Sequence, residues 1–252
     1  MNKTITELQQ DFRQLRLAET AEELPKLLRK AEQSSWTYQE FLEQLTAFEL
    51  NKREIKSIEK RLKNARFPYL KSLTEFDLDA QQTLTKRQLT QLEELQWLEQ
   101  HYNLILLGPP GVGKTFLSVG LGLEAVYKGF QVSFVTMGEL LHLLKTQEYT
   151  HKSQVQMKRI QSSDLVIIDD LMYMAMDQRE ANLFFQLINH LYEKSSIILT
   201  SNKSPEQWSE LMGDQGITTA ILDRLLHRVE VVHMDGESYR MKNRQQLFEA
   251  EM

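Results

Sequence analysis

The chain has 252 residues, 41% of them hydrophobic and 26% charged, with no cysteine and a formal net charge of −5. This composition suits one ordinary globular domain with a smaller attachment, and it excludes disulfides and cysteine-bound zinc. No apolar run approaches the ~20 residues of a membrane span, and the polar stretch MNKTITELQQDF is not a secretory signal, so no membrane and a cytoplasmic location are expected.

The first 67 residues hold no glycine and a single proline, Pro25, and read as helical. Thr37 followed three residues later by Glu40 predicts a capping box at the start of a long helix. Behind it Phe41, Leu45, Phe48, Ile55 and Leu62 recur at spacings that keep them on one drifting apolar face. The aromatics Trp36, Tyr38 and Phe41 are read as core rather than as base-stacking groups.

Charge is unevenly spread. Residues 1–51 carry −3, whereas residues 52–71 carry +6. On a helical wheel Lys52, Arg53, Lys56, Lys60, Lys63 and Arg66 share one sector beside the apolar stripe. A basic stripe on an acidic chain is aimed at a polyanion, with a solvated charged face as the plain alternative. Pro68, in RFPYLKSL, ends the helix and opens a linker.

Beyond it the period changes. Strand candidates NLILLG (103–108), QVSFVT (131–136), LVIIDD (165–170), SIILTSN (196–202) and VEVVHM (229–234) alternate with helical stretches. Continuous apolar strands separated by helices predict an α/β fold with a parallel sheet covered on both faces. The expected organisation is a small all-α domain over residues 1–68, to which the family resemblance described below adds DNA binding and oligomerisation, then an α/β domain over 69–252.

The first strand candidate runs into Gly108-Pro109-Pro110-Gly111-Val112-Gly113-Lys114-Thr115, which fits G-x-x-x-x-G-K-[ST] at every fixed position. The motif lies after a strand and opens a helix, as a phosphate-binding loop requires. Its glycines let backbone N–H groups converge, and the following helix adds the partial positive charge of its N-terminus. Lys114 can reach the β- and γ-phosphates of ATP, and Thr115 can ligate Mg²⁺. Asp169, ending an apolar strand, is the carboxylate an opposing Mg²⁺ needs, and Asp170 beside it can polarise a water. Asn202 ends the next strand candidate, where its amide can meet the γ-phosphate or orient that water, or simply begin a turn. Arg224 and Arg240 are candidates for stabilising transition-state charge, although spacing alone brings neither to a nucleotide.

From about Leu70 to Arg244 these motifs resemble the IstB-like ATP-binding proteins of bacterial insertion sequences, helper ATPases of transposition. That family is related to the DnaC-type helicase loaders in the initiator branch of AAA+ ATPases. The resemblance rests on Gly108–Thr115, LVIIDDL, EANLFFQLINHLYEKSSIILTSNKSPEQW, AILDRLLHR and GESYR, and the helical YQEFLEQLTAFELNKREIKSIEKRLKNARFP is similar as well. It implies an AAA+ core with a truncated C-terminal lid and a five-stranded sheet. Lys114 and Thr115 would serve phosphate and Mg²⁺, Asp169 and Asp170 the Walker B pair, and Asn202 sensor I. Arg224 would be an arginine finger offered to a neighbouring subunit, and Arg240 the sensor II arginine. The expected partners are duplex DNA with little sequence preference, a transposase, and further copies of the chain in an ATP-dependent oligomer. Lys145, Lys152, Lys158 and Arg159 fall where initiator-type relatives carry an inserted helix that faces DNA. Met172 departs from the pattern, since relatives usually have glycine there. A helicase loader, and a nucleotide-gated DNA scaffold with negligible hydrolysis, are the alternative functions.

Overall fold

The computed structural model describes residues 3–78, 83–171, 176–208 and 215–242, the side chains of Arg240 and Lys242 excepted. The chain divides into two compact units, residues 1–60 and 61–252.

The first unit is helical. Helix α1 (Ile5–Gln14) starts at Thr4, whose hydroxyl accepts the Glu7 N–H while the Glu7 carboxylate accepts the Thr4 N–H. It packs on α2 (Ala18–Gln33), which tolerates Pro25 and buries Thr20, Ala21 and Leu24. Helix α3 (Tyr38–Ala65) opens with the expected box, Glu40 N–H on Thr37 Oγ1 at 3.2 Å and Thr37 N–H on the Glu40 carboxylate at 2.7 Å. Glu49 of α3 receives the Thr20 hydroxyl at 2.5 Å and Arg53 Nε at 2.7 Å, so one buried carboxylate fastens α3 to α2.

Two expectations for this helix are corrected. Leu45 is buried, but Ile55 is 44% exposed and Tyr38, expected in the core, is 94% exposed. At about 100° per residue Ile55 stands roughly 80° around the helix from Leu45, at the margin of the buried face. Moreover, 28 residues of helix are far longer than the 16 of α2 that could cover them. Trp36 is half-buried, with the Lys30 ammonium 5.5 Å from its ring.

The second unit begins within the last turn of α3, ahead of the boundary expected at 68/69. Arg61 and Ala65 belong to it because they are buried there, Arg61 Nε donating to Val126 O at 3.1 Å. The helix stops when Arg66 turns left-handed, φ 58°, just before Phe67-Pro68. A 3₁₀ turn (Leu73–Glu75) and the short helices α4 (Lys86–Glu93) and α5 (Gln96–Glu99) lead to the sheet.

Then strands and helices alternate: β1 (Asn103–Leu107), α6 (Lys114–Tyr127), β2 (Val132–Thr136), α7 (Met137–Thr146), α8 (His151–Gln161), β3 (Leu165–Asp169), α9 (Gln178–Leu191), β4 (Ser196–Ser201), a 3₁₀ turn (Pro205–Trp208), α10 (Gln215–Leu226), β5 (Val229–His233) and α11 (Tyr239–Lys242). The five strands form one parallel sheet in the order β2-β3-β4-β1-β5. β1, β3 and β4 are buried along their whole length, as their unbroken apolar sequence requires of strands covered on both faces. β4 lies between β3 and β1, so the ends of two strands distant in sequence flank it. That crossover creates the crevice in which α/β sheets hold ligands.

Candidate functional site

The phosphate loop leaves β1 held on both sides. Gly108 N–H donates to Ser201 O at 3.2 Å, and Met234 N–H donates to Leu107 O at 2.7 Å. Side chains are barred at two loop positions. A Cβ on Gly108 would lie 2.0 Å from Met234 O, and one on Gly111, at φ 89°, would lie 2.1 Å from Ser238 Oγ. Tyr239 N–H donates to Gly111 O at 3.0 Å, so the Gly-Glu-Ser-Tyr segment is seated directly on the loop.

Lys114, the first residue of α6, is buried, with Nζ donating to Gly108 O at 2.7 Å and to Pro109 O at 2.8 Å. Thr115 Oγ1 lies 3.0 Å from each oxygen of Asp169. Asp169 ends β3 at the floor of the crevice, 5% exposed. Burial pushes its carboxyl above the usual range; the Thr200 hydroxyl opposes that, the Asp170 charge adds to it, and Thr115 and Lys114 oppose it more weakly. A carboxylate desolvated in this way is stabilised by a cation.

The donor set fits a magnesium nucleotide. Hydroxyl and carboxylate oxygens, the hard ligands Mg²⁺ takes, adjoin each other at Thr115 and Asp169. The N–H groups of Gly111 and Gly113 have no acceptor among the described residues, leaving them open to phosphate oxygens. Lys114 can exchange its two loop carbonyls for phosphate.

Asp170 is exposed and left-handed at φ 56°, its N–H held on Thr200 Oγ1 at 2.9 Å. Asn202 follows β4 and is exposed, and its side chain makes no hydrogen bond among the described residues. Thr200 is the residue that sequence reading missed. It is fully buried, and its Oγ1 donates to Asp169 Oδ1 at 2.6 Å. The pairing of Ile168 with Leu199 puts Thr200 beside Asp169, whereas in the sequence it is an ordinary β-branched strand residue.

Arg224, near the end of α10, is not brought to this loop. Its Nε donates to Asn189 Oδ1 at 3.0 Å, its guanidinium lies 4.8 Å from the Phe185 ring, and it lines a cleft with Asn103 and Ile197. Those two residues are at the starts of β1 and β4, the opposite end of the sheet from the loop. The Arg240 side chain, Met172 and the end of the lid beyond residue 242 lie outside the described residues.

The basic candidates divide by partner. Arg53 is paired with Glu49, Lys56 with Glu19 at 2.5 Å, and Lys145 with Glu180 at 2.6 Å. The Lys52 ammonium sits 5.6 Å from the Phe48 ring. Lys60, Lys63, Arg66, Lys152 and Lys158 are exposed and make no ion pair among the described residues. Arg159 is half-buried and donates to Asn64 O at 3.3 Å. No helix among the described residues is long and apolar enough to cross a membrane.

A five-stranded parallel sheet with a glycine-rich loop between β1 and its helix, and an acidic residue ending a strand two places away, defines a P-loop nucleotide-binding domain. Solved structures show the same fold. DnaI aligns with a TM-score of 0.56 at 18% identity, over 69% of this chain and 93% of that one. AMPPCP-bound DnaA from Aquifex aeolicus aligns with a TM-score of 0.51 at 23% identity, over 66% of this chain and 51% of that one. The family model described as IstB-like ATP binding protein matches residues 10–247, and the chain belongs to that family. A relative from Bacteroides fragilis, named as a candidate ATP-binding protein of an IS21-like insertion sequence, is 40% identical over 98% of this chain and 94% of its own length. Another, named likewise for IS21 in Pseudomonas aeruginosa, is 39% identical over 94% of this chain and 90% of its own.

Proposed function

We propose that this protein is a Mg²⁺-dependent ATPase whose copies assemble on duplex DNA, with little sequence preference, in the service of the transposase of an insertion sequence. The observation that carries this reading is the separation of Arg224 from its own chain's phosphate loop: the two lie at opposite ends of one sheet. An arginine so placed that serves a phosphate serves one on another copy, and in this reading nucleotide links the copies.

Within one chain the roles divide as follows. Gly111 and Gly113 N–H groups and Lys114 hold the phosphates; Thr115 and Asp169 hold the metal, with Thr200 fixing the carboxylate. When bound, the metal supplies Lewis acidity toward the phosphate oxygens. Asp170, exposed at the mouth of the crevice, is the base toward water, and Asn202 orients that water. Arg240 completes the charge around the phosphates. Lys and Arg side chains of α3 and α8 supply salt-sensitive contact to DNA phosphates. The names of the insertion-sequence relatives support the transposition setting.

The test is duplex DNA affinity measured with ATP, with ADP, and with Lys114→Ala in ATP. Tight binding confined to the first condition is expected. Equal binding in all three removes nucleotide from the assembly.

A further inference from the structure

In the second unit, a shallow cleft open to solvent is lined by Asn64, Arg66, Gln156 and Arg159 beside apolar side chains of β2, α7 and α8, with Glu139 at its side. Four elements build it: the end of α3, strand β2, helix α7, and one face of α8, where Gln156 and Arg159 lie a turn apart. Neither guanidinium has a carboxylate partner among the described residues, and Glu139 comes within ion-pair distance of neither. Burial holds Arg159 below the ordinary arginine value, and the Arg66 charge adds to that.

Gln156 is the independent sign. It is 7% exposed, yet its side-chain amide makes no hydrogen bond among the described residues. Buried amides are almost always hydrogen-bonded, so one left open onto a cleft with two unmatched cations awaits a partner. The partner must carry negative charge and several acceptor oxygens in different directions. A phosphate group does, and arginine forks suit its geometry.

We propose that Arg66, Gln156 and Arg159 form one site that grips a single phosphate of a nucleic-acid backbone. This rests on the DNA-binding reading above and deepens it, joining the end of the basic helix and the α7–α8 insertion in one contact.

The experiment compares duplex affinity over about 50 to 200 mM salt for the wild type, Arg66→Gln, Gln156→Leu and, as a reference for the stripe, Lys60→Gln. Arg66→Gln, at an exposed position, is expected to flatten the slope of log K against log salt by about 0.9. Gln156→Leu is expected to weaken binding several-fold with its slope unchanged and its thermal midpoint not lowered, which a merely structural amide would not do. A wild-type slope in Arg66→Gln together with wild-type affinity in Gln156→Leu, while Lys60→Gln flattens its own slope, overturns the phosphate site and leaves the DNA reading standing. A wild type that binds no duplex defeats the DNA reading itself. Inorganic phosphate that then shifts the arginine Nε–H NMR signals of wild type but not of Arg66→Gln shows a site for free phosphate, which also overturns the backbone proposal.

Discussion

Thr200 donates its hydroxyl proton to Asp169 at 2.6 Å, across a strand boundary that separates the two by 31 residues of chain. The same Thr200 oxygen accepts the Asp170 N–H at 2.9 Å, so one hydroxyl orders both acidic residues of the site. Thr200→Val keeps the shape, takes away one of the two hydroxyls on the buried Asp169 carboxylate and removes the acceptor of the Asp170 N–H. It is expected to cost about 1–3 kcal/mol of stability and about tenfold in magnesium-dependent binding of a fluorescent ATP analogue. Thr200→Ser should recover most of both. Wild-type magnesium dependence in the valine variant would show that Asp169 needs no such support.

Gly111→Ala meets two obstacles at once, a left-handed backbone at φ 89° and the Ser238 hydroxyl 2.1 Å from the new methyl. The backbone part costs about 1–2 kcal/mol, and displacement of the Ser238–Tyr239 segment adds to it. Adding Ser238→Gly should restore the steric share and not the backbone share. Urea unfolding and nucleotide affinity measured on the single and double variants check this; a double variant no better than the single would mean Ser238 does not press on the loop.

Arg224→Ala and Lys114→Ala should each abolish turnover, since an arginine acting between copies is worth about 10³–10⁵ in kcat. Mixing the two inactive proteins should restore part of the activity, because some shared sites then combine an intact loop with an intact arginine. Asn189→Ala, which frees Arg224 Nε, should lower kcat about tenfold with KM little changed. Failure of the mixture to recover activity would return Arg224 to a structural role in the packing of α10 on α9.

Within the stripe of α3 the cations are not equivalent. Lys56 is held by Glu19, whereas Lys60 and Lys63 are exposed without ion pairs among the described residues. Lys60→Gln and Lys63→Gln are each expected to flatten the salt dependence of DNA binding by about 0.9, and Lys56→Gln by less. Equal slopes for all three would mean that the Glu19 pair opens on DNA.

Burial pushes the Glu49 carboxyl up, but hydrogen bonds from Thr20 and Arg53 outweigh it and hold the group below its ordinary 4.5. A depressed carboxyl contributes stability that is present above the unfolded value and lost as pH falls through the folded one. Urea unfolding followed by helical signal should therefore show a stability that falls as pH drops below about 4.5. Glu49→Gln should lose about 1 kcal/mol at pH 7 and flatten that dependence. A Gln variant with the wild-type acid profile would assign it to other carboxyls.

Much of the candidate phosphate site was legible because it is contiguous. Gly108 to Thr115 is a run of eight neighbours whose chemistry depends on local backbone shape, and Asp169 announces itself by ending an apolar strand. The five strands were legible for a similar reason, since a parallel sheet buried on both faces needs unbroken apolar runs. The drift of α3 was harder: a pattern at spacing seven marks a face, but only the packed neighbours reveal where along the helix that face stops being covered. Tyr38 and Ile55 are the residues on which that distinction fell.

What the sequence determined by itself, then, was everything carried by neighbours along the chain: the loop, the capping boxes, the strand runs, the local excess of positive charge. What only the tertiary structure decided was set by strand order and helix packing. The sheet order places Thr200 of β4 against Asp169 of β3, and puts Arg224 at the far end from its own loop. Packing seats Ser238 on Gly111, and brings Arg66, Gln156 and Arg159 into one cleft. The physical reason is that periodicity and propensity act over a few residues, whereas burial and hydrogen-bond satisfaction are settled between segments that meet only when the sheet has formed.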